Sequence, residues 1–187
     1  MHKFNPEHIG RLLREGRLGE TTPERLLRSL GLKEGGTIAD VGCGPGFFTI
    51  PAAGIVGPEG TVYAIDTQQE MLESLKERNP PPNVVPVRSG EHSMPIEGGS
   101  ADMALAAYVL HEAEDKALLL SEVKRILRKG GKAVIIDWKK QSEEHGPPVE
   151  ERITEGEAEG FLAGAGFGRM ETSSLNESHY IITAVKA

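Results

Sequence analysis

The segment Thr37-Ile-Ala-Asp-Val-Gly-Cys-Gly-Pro-Gly46, with Thr61-Val-Tyr-Ala-Ile-Asp66 downstream, constrains this chain more than any other feature. Ile38 to Val41 is an apolar run that stops abruptly at glycines, which predicts a short buried strand. Gly42, Gly44 and Gly46 then supply a tight turn. Without a Cβ they also let backbone N–H groups approach a ligand closely. Phe47 onward reads as a helix, so a ligand here sits at a helix N-terminus beyond the carboxyl end of a strand. That is where open α/β sheets bind nucleotides. Val62 to Ile65 predicts a second strand ending in Asp66, whose carboxylate can accept hydrogen bonds from two vicinal ribose hydroxyls. Together the two features point to an adenosine-containing cofactor.

The spacing of the glycines selects among such cofactors. The dinucleotide fingerprint is G-x-G-x-x-G, but here the order is G-x-G-x-G, and Phe47 stands where the third glycine would be. Asp40, two residues before the first glycine, suits a cationic ligand and would repel a pyrophosphate. Asp40-Val-Gly42-Cys-Gly44-Pro-Gly46 resembles the first motif of the class I S-adenosylmethionine-dependent methyltransferases, acidic-x-G-x-G-x-G, at every defined position. The resemblance runs from about Leu26 to the C-terminus. It implies S-adenosyl-L-methionine as cofactor and S-adenosyl-L-homocysteine as product.

The 187 residues are about one domain's length. We expect one methyltransferase domain over 1–187, with an N-terminal helical segment at 1–30 and the nucleotide-binding fold at 31–187. The net charge of −7 is a poor match to nucleic acid, whose affinity for proteins comes largely from phosphate neutralisation. The clearest candidate for a local basic patch, Lys124-Arg-Ile-Leu-Arg128-Lys129, is expected instead to complement a helix dipole. One cysteine excludes an intrachain disulfide, and no apolar run approaches membrane-spanning length. The expectation is a cytoplasmic protein without a membrane span, a small-molecule methyl acceptor as partner, and the option of a homo-oligomer.

Strands alternate with helices along the chain. Pro6 to Arg14 is a helix candidate, and Thr22-Pro23 reads as a cap and first turn for a helix that Gly31 stops. Pro51 predicts an irregular helix after the glycine loop. Glu70 to Arg78 follows as a helix, Val84 to Val87 as a third strand and Ala101 to Ala107 as a fourth. A long amphipathic helix is predicted over Glu112 to Leu127, ended by Gly130-Gly131, then a fifth strand over Lys132 to Asp137. Thr154 to Ala165 is the last helix. Arg169 to Ser174 and His179 to Lys186 form a hairpin. This order predicts an α/β three-layer sandwich. The resemblance adds a Rossmann-like, seven-stranded, mostly parallel sheet ordered 3-2-1-4-5-7-6, its last strand antiparallel.

Site residues follow from these placements. Gly42, Cys43 and Gly44 are expected to line the methionine portion of the cofactor through their backbone, with Asp40 nearby. Asp66 holds the ribose, and Thr67 and Met71 follow, Met71 against the adenine or in the ordinary core. Ser89-Gly90-Glu91-His92 comes after the third strand. In relatives that segment places an acidic residue near the adenine amino group, a role for Glu91 or His92. Ala107 ends the fourth strand beside the cofactor. The segment Ala106-Ala-Tyr108-Val-Leu-His111-Glu112 resembles quinone-biosynthesis and related small-molecule methyltransferases. It implies that Tyr108 and His111 face methyl transfer, His111 as proton acceptor or orienting group. Asp137 is a candidate acceptor contact and Trp138 a candidate hydrophobic wall. His145 is a further candidate in the loop Lys139 to Val149, which falls where it can cover a substrate.

Absent motifs narrow the acceptor. Asn79-Pro-Pro is a turn in the wrong place for the D/N-P-P-aromatic motif of DNA amino-methyltransferases. Cys43 lies in the cofactor loop, not where a cytosine-methylating or arsenite-methylating enzyme needs thiols. The histidines lack metal-ligand spacing, so no metal is expected. The reading is a metal-independent methyltransferase acting by in-line displacement. Open beside it are a cofactor-binding protein without catalysis, an NAD-linked oxidoreductase, and a methyltransferase for protein or RNA.

Overall fold

The computed structural model of the chain describes residues 9–13, 16, 18–90 and 92–187. The elements, in order, are α1 (Ile9–Leu12), α2 (Pro23–Ser29), β1 (Thr37–Val41), α3 (Thr49–Val56), β2 (Thr61–Asp66), α4 (Gln69–Glu77), β3 (Val84–Arg88), β4 (Ala101–Ala107), α5 (Lys116–Ile126), β5 (Leu127–Trp138), α6 (Glu155–Gly164), β6 (Phe167–Ser174) and β7 (His179–Lys186). The strands form one sheet ordered β3-β2-β1-β4-β5-β7-β6. All neighbours are parallel except β7, which is antiparallel to both β5 and β6.

Successive strand residues point to opposite faces, and the two faces carry two cores. Ile38, Val62, Leu105 and Ile136 pack against Leu27 of α2, Ala52 of α3 and Leu75 of α4. Ala39, Ile65, Ala104 and Ile135 pack against Leu120 and Val123 of α5 and Leu162 of α6. β1 lies at the centre, paired with β2 on one side and β4 on the other. The crossovers leave in opposite directions from it, which opens a crevice at its carboxyl end. β3, on the edge, tolerates Pro86 because an edge strand need not donate every N–H.

Several expected boundaries move, each for a local reason. α5 begins after Asp115, not at Glu112, because Asp115 is extended and its carboxylate accepts the Leu118 N–H at 2.9 Å. Residues 109–113 instead make a separate turn, with Glu112 and Ala113 N–H groups both directed at Val109 O. Pro51 lies in the first turn of α3, where no intrahelical N–H is needed; the irregular part is the run of turns before Thr49. β5 starts directly at Leu127 and contains Gly130-Gly131, with a register shift against β4. Of the first predicted helix, Ile9–Leu12 is helical, while Pro6 to His8 and Arg14 lie outside the described residues. The basic cluster at the end of α5 ties elements together: Lys124 bonds Ala165 O, Arg125 bonds Met94 O and Ile96 O, and Arg128 pairs with Asp102.

Candidate active site

The carboxyl ends of β1, β2, β4 and β5 open into one cavity of about 1410 Å³. Asp40, Gly42, Cys43, Gly44, Asp66, Thr67, Met71, Gly90 and Ala107 all line it, and so do Tyr108, His111, Trp138 and His145. Glu91 lies outside the described residues. His92 does not line the cavity, so the β3 loop reaches it through Ser89 and Gly90 instead.

The glycine loop is wired differently from a phosphate cradle. The Gly42 and Cys43 N–H groups both donate to Ile65 O, at 2.8 and 3.0 Å. The Gly44 N–H donates to Asp66 Oδ2 at 2.8 Å. The N–H groups of these three residues are therefore committed within the protein, so the backbone they present at the cavity is not a row of free donors. What the strand ends present at the cavity is the carboxylates of Asp40 and Asp66. Asp66 Oδ1 also accepts the Gln68 N–H at 2.8 Å, and the residue lines the cavity. A Cβ built on Gly44 would find only Leu12 Cδ1 within van der Waals range, at 3.5 Å, so that position opens into the cavity. A ligand with cationic groups and hydroxyl donors fits such a set, and S-adenosylmethionine has both.

Asp40 is almost wholly buried and accepts the Thr49 hydroxyl at 2.6 Å. Burial raises its pKa to about 7; the Thr49 bond opposes this and the Asp66 charge adds to it. A cationic ligand favours the ionised form, so binding releases a proton over this range. Cofactor affinity should therefore rise severalfold between about pH 6 and about pH 7.5. Calorimetry at the two pH values, with Asp40→Asn as the variant expected to lose the dependence, checks this.

Across the cavity, β4 and β5 bring two predicted residues together. Ala107 pairs with Ile136, so Tyr108 and Asp137 follow side by side. The His111 ring nitrogen Nδ1 lies 2.6 Å from Asp137 Oδ1, and the His111 N–H donates to Asp137 Oδ2 at 3.1 Å. Asp137 Oδ1 also accepts the Trp138 N–H at 2.8 Å. Asp137 is fully buried and does not line the cavity, so it is not the acceptor contact expected from sequence. It positions His111. Since a carboxylate accepts, the bond places the proton on Nδ1 and leaves Nε2 with its lone pair in the neutral ring. Burial alone would depress the His111 pKa, but the hydrogen bond and charge of Asp137, with the charges of Glu112 and Glu151, raise it above its ordinary 6.5. Tyr108 adopts φ 63, a backbone conformation rare for a non-glycine residue, which marks this turn as held by its surroundings.

The sequence left one organising residue unnoticed. Arg152 is 1% exposed and gathers the loop after β5 around itself. Its guanidinium donates to the carbonyls of Lys139, Gln141, His145 and Pro147 and to Glu143 Oε2 at 2.7 Å. It also lies over the Trp138 ring, 4.9 Å from the centroid. The loop is thereby fixed as a wall in which Glu143 to Pro148 face the cavity. The β6–β7 turn closes beside it, and His179 packs edge-on against Trp138 and Tyr108 at centroid distances of 4.3 and 4.9 Å. No local pattern distinguishes Arg152 or His179 from a solvated residue; their roles arise only from tertiary packing.

Residues 39–135 match the type 11 family described as methyltransferase domain. A solved structure of a SAM-dependent methyltransferase from Aquifex aeolicus superposes with a TM-score of 0.91 at 34% identity, covering 99% of this chain and 100% of that one. A demethylmenaquinone methyltransferase of Staphylococcus aureus is 33% identical over 115 residues, 61% of this chain and 48% of the relative. An uncharacterized 37.1 kDa protein in transposon Tn4556 of Streptomyces fradiae is 39% identical over 116 residues, 60% of this chain and 34% of the relative. The chain thus spans a third to a half of the length of these curated relatives. By sequence match, sheet order and cavity position, the chain belongs to the class I S-adenosylmethionine-dependent methyltransferases, in the type 11 family.

Proposed function

We propose that this chain transfers a methyl group from S-adenosylmethionine to a small-molecule acceptor, without a metal, with His111 as the proton-accepting group. The observation that carries the reading is one cavity lined by the glycine loop, Asp40 and Asp66 at the ends of β1 and β2 and by His111, which is bonded to the buried Asp137, at the ends of β4 and β5. When bound, the cofactor supplies a methyl group already activated by the positive sulfur. The leaving group departs neutral, so much of the rate comes from alignment, worth about 7–11 kcal/mol in favourable cases. Asp66 would hold the ribose, and Gly42, Cys43 and Gly44 would line the methionine end. Met71 packs against the base. Trp138, Tyr108 and the Arg152-held loop orient the acceptor and exclude water. His111 Nε2 takes the acceptor's proton where one must leave, while Asp137 keeps the ring oriented.

The test is incubation of the purified protein and methyl-labelled cofactor with a small-molecule extract. Label should leave the cofactor for a new product; retention of all label, with the cofactor still bound, would reduce the chain to a binding protein. Asp66→Ala should weaken cofactor binding at least tenfold, about 1.4 kcal/mol. Because Asp66 also accepts two backbone N–H groups, the same change should cost about 1–3 kcal/mol of stability. Asp66→Asn keeps an acceptor, so thermal unfolding of the two variants separates the loop's support from ligand contact.

A further inference from the structure

We infer that the methyl acceptor is an amine that enters the cavity as a cation. The inference rests on the proposed methyl transfer and names its substrate class. Beyond Asp40 and Asp66 at the cofactor loop, the cavity wall carries Glu112, Glu143, Glu144, Glu151 and Glu177, and among the described residues it carries no lysine or arginine. Arg152, buried behind the wall, pairs with Glu143 and so offsets one of these charges only. The pairing holds Glu143 ionised, its pKa lowered to about 2: burial opposes ionisation, but bonds from Ser178, Gln141 and Arg152 outweigh it. A phosphate or carboxylate acceptor would meet repulsion from these carboxylates, with no cationic partner on the wall among the described residues.

The acidic wall coincides with the proton acceptor. Glu112 and Glu151 both act on His111, and Glu112 Oε1 stands 3.9 Å from Nε2. His111, Glu112 and Glu151 also line a second cavity of about 440 Å³. That cavity is also lined by Arg152, by Lys116, which donates to Ala113 O, and by Lys140, 3.7 Å from Glu157, against five glutamates. An ammonium drawn to Glu112 and Glu151 therefore lies beside the nitrogen that can deprotonate it. The ammonium gives its proton to Nε2. The freed nitrogen lone pair then forms the bond to the methyl carbon, and the carbon–sulfur pair leaves with sulfur as a neutral thioether.

Trp138, the sole tryptophan of the chain, lines the cavity and reports on its contents. Its fluorescence is titrated, with S-adenosylhomocysteine present, against phenethylamine, 2-phenylethanol and phenylacetate, which differ only in the terminal group. The amine should bind about tenfold more tightly than the alcohol, and the carboxylate weakest. Combined Glu112→Gln and Glu151→Gln should bring the amine to the level of the alcohol. Equal or tighter binding of the alcohol or the carboxylate, or no binding of any probe, overturns the inference. In parallel, the labelled extract is separated by ion exchange, and labelled product should collect in the cationic pool. Label confined to the neutral or anionic pool also overturns the inference. Tight amine binding with no label leaving the cofactor would instead sink the methyl-transfer reading while the cationic pocket stands.

Discussion

His111→Ala should lower turnover by about 10²–10⁴-fold, the range lost with a general base, while cofactor affinity changes little. The separation follows from position: His111 lies after β4, opposite the glycine loop, and its Nδ1 is committed to Asp137. The wild-type rate should fall as pH drops, because only the neutral ring can take a proton. Asp137, Glu112 and Glu151 raise the His111 pKa, so that limb lies above the ordinary 6.5. Asp137→Asn removes the largest of these charges and should shift the limb to lower pH while reducing the rate. The stability effect has the opposite sense. A raised pKa means that protonated His111 stabilises the fold; this contribution is full below about 6.5 and is lost as pH rises through the folded-state value. The difference in Tm between wild type and Asp137→Asn should accordingly widen toward acid pH. Steady-state rates against pH, with an acceptor found by label transfer, check the first part, and thermal unfolding checks the second. If His111→Ala retains normal turnover and acceptor KM, the pair is a structural tie between β4 and β5.

The sequence exposed the parts of this site that depend on short-range pattern. Ile38 to Val41 ends in glycines, Val62 to Ile65 ends in an acid, and both strands take the places those patterns predict. His111 and Asp137 were each visible as candidates at strand ends, but not as partners. They meet because β4 and β5 pair with Ala107 opposite Ile136, a register that no local signal specifies. Arg152 is the opposite case. It sits among acidic residues in a polar stretch, where an arginine usually faces solvent, and is buried only because the loop after β5 folds its carbonyls onto it. The start of α5 was misplaced for a related reason. The apolar spacing continues past Asp115 toward Glu112, yet the capping bond to the Leu118 N–H decides where the helix begins. That break frees residues 109–113 to make the separate turn that carries His111 to Asp137.

Gly42 and Gly44 stand two residues apart in one loop, and substitutions there should fail in different ways. Gly42 adopts φ 69, and a Cβ built on it falls 2.3 Å from Val109 Cγ2. Val109 belongs to the turn that carries His111, so it cannot yield without disturbing the His111–Asp137 pair. Gly42→Ala combines left-handed backbone strain with overpacking and should cost about 2–5 kcal/mol of stability. Gly44 adopts φ 52 with open space before it, the nearest atom being Leu12 Cδ1 at 3.5 Å. Gly44→Val pays the backbone strain alone, about 1–2 kcal/mol, but its branched side chain occupies the space where the loop meets the cofactor. It should abolish measurable binding in a protein that still unfolds cooperatively. Calorimetric titration with S-adenosylhomocysteine and thermal unfolding on both variants give the comparison. Wild-type affinity in Gly44→Val would place the cofactor elsewhere in the cavity, and an undiminished Tm in Gly42→Ala would show that the turn after β4 can move away from the loop.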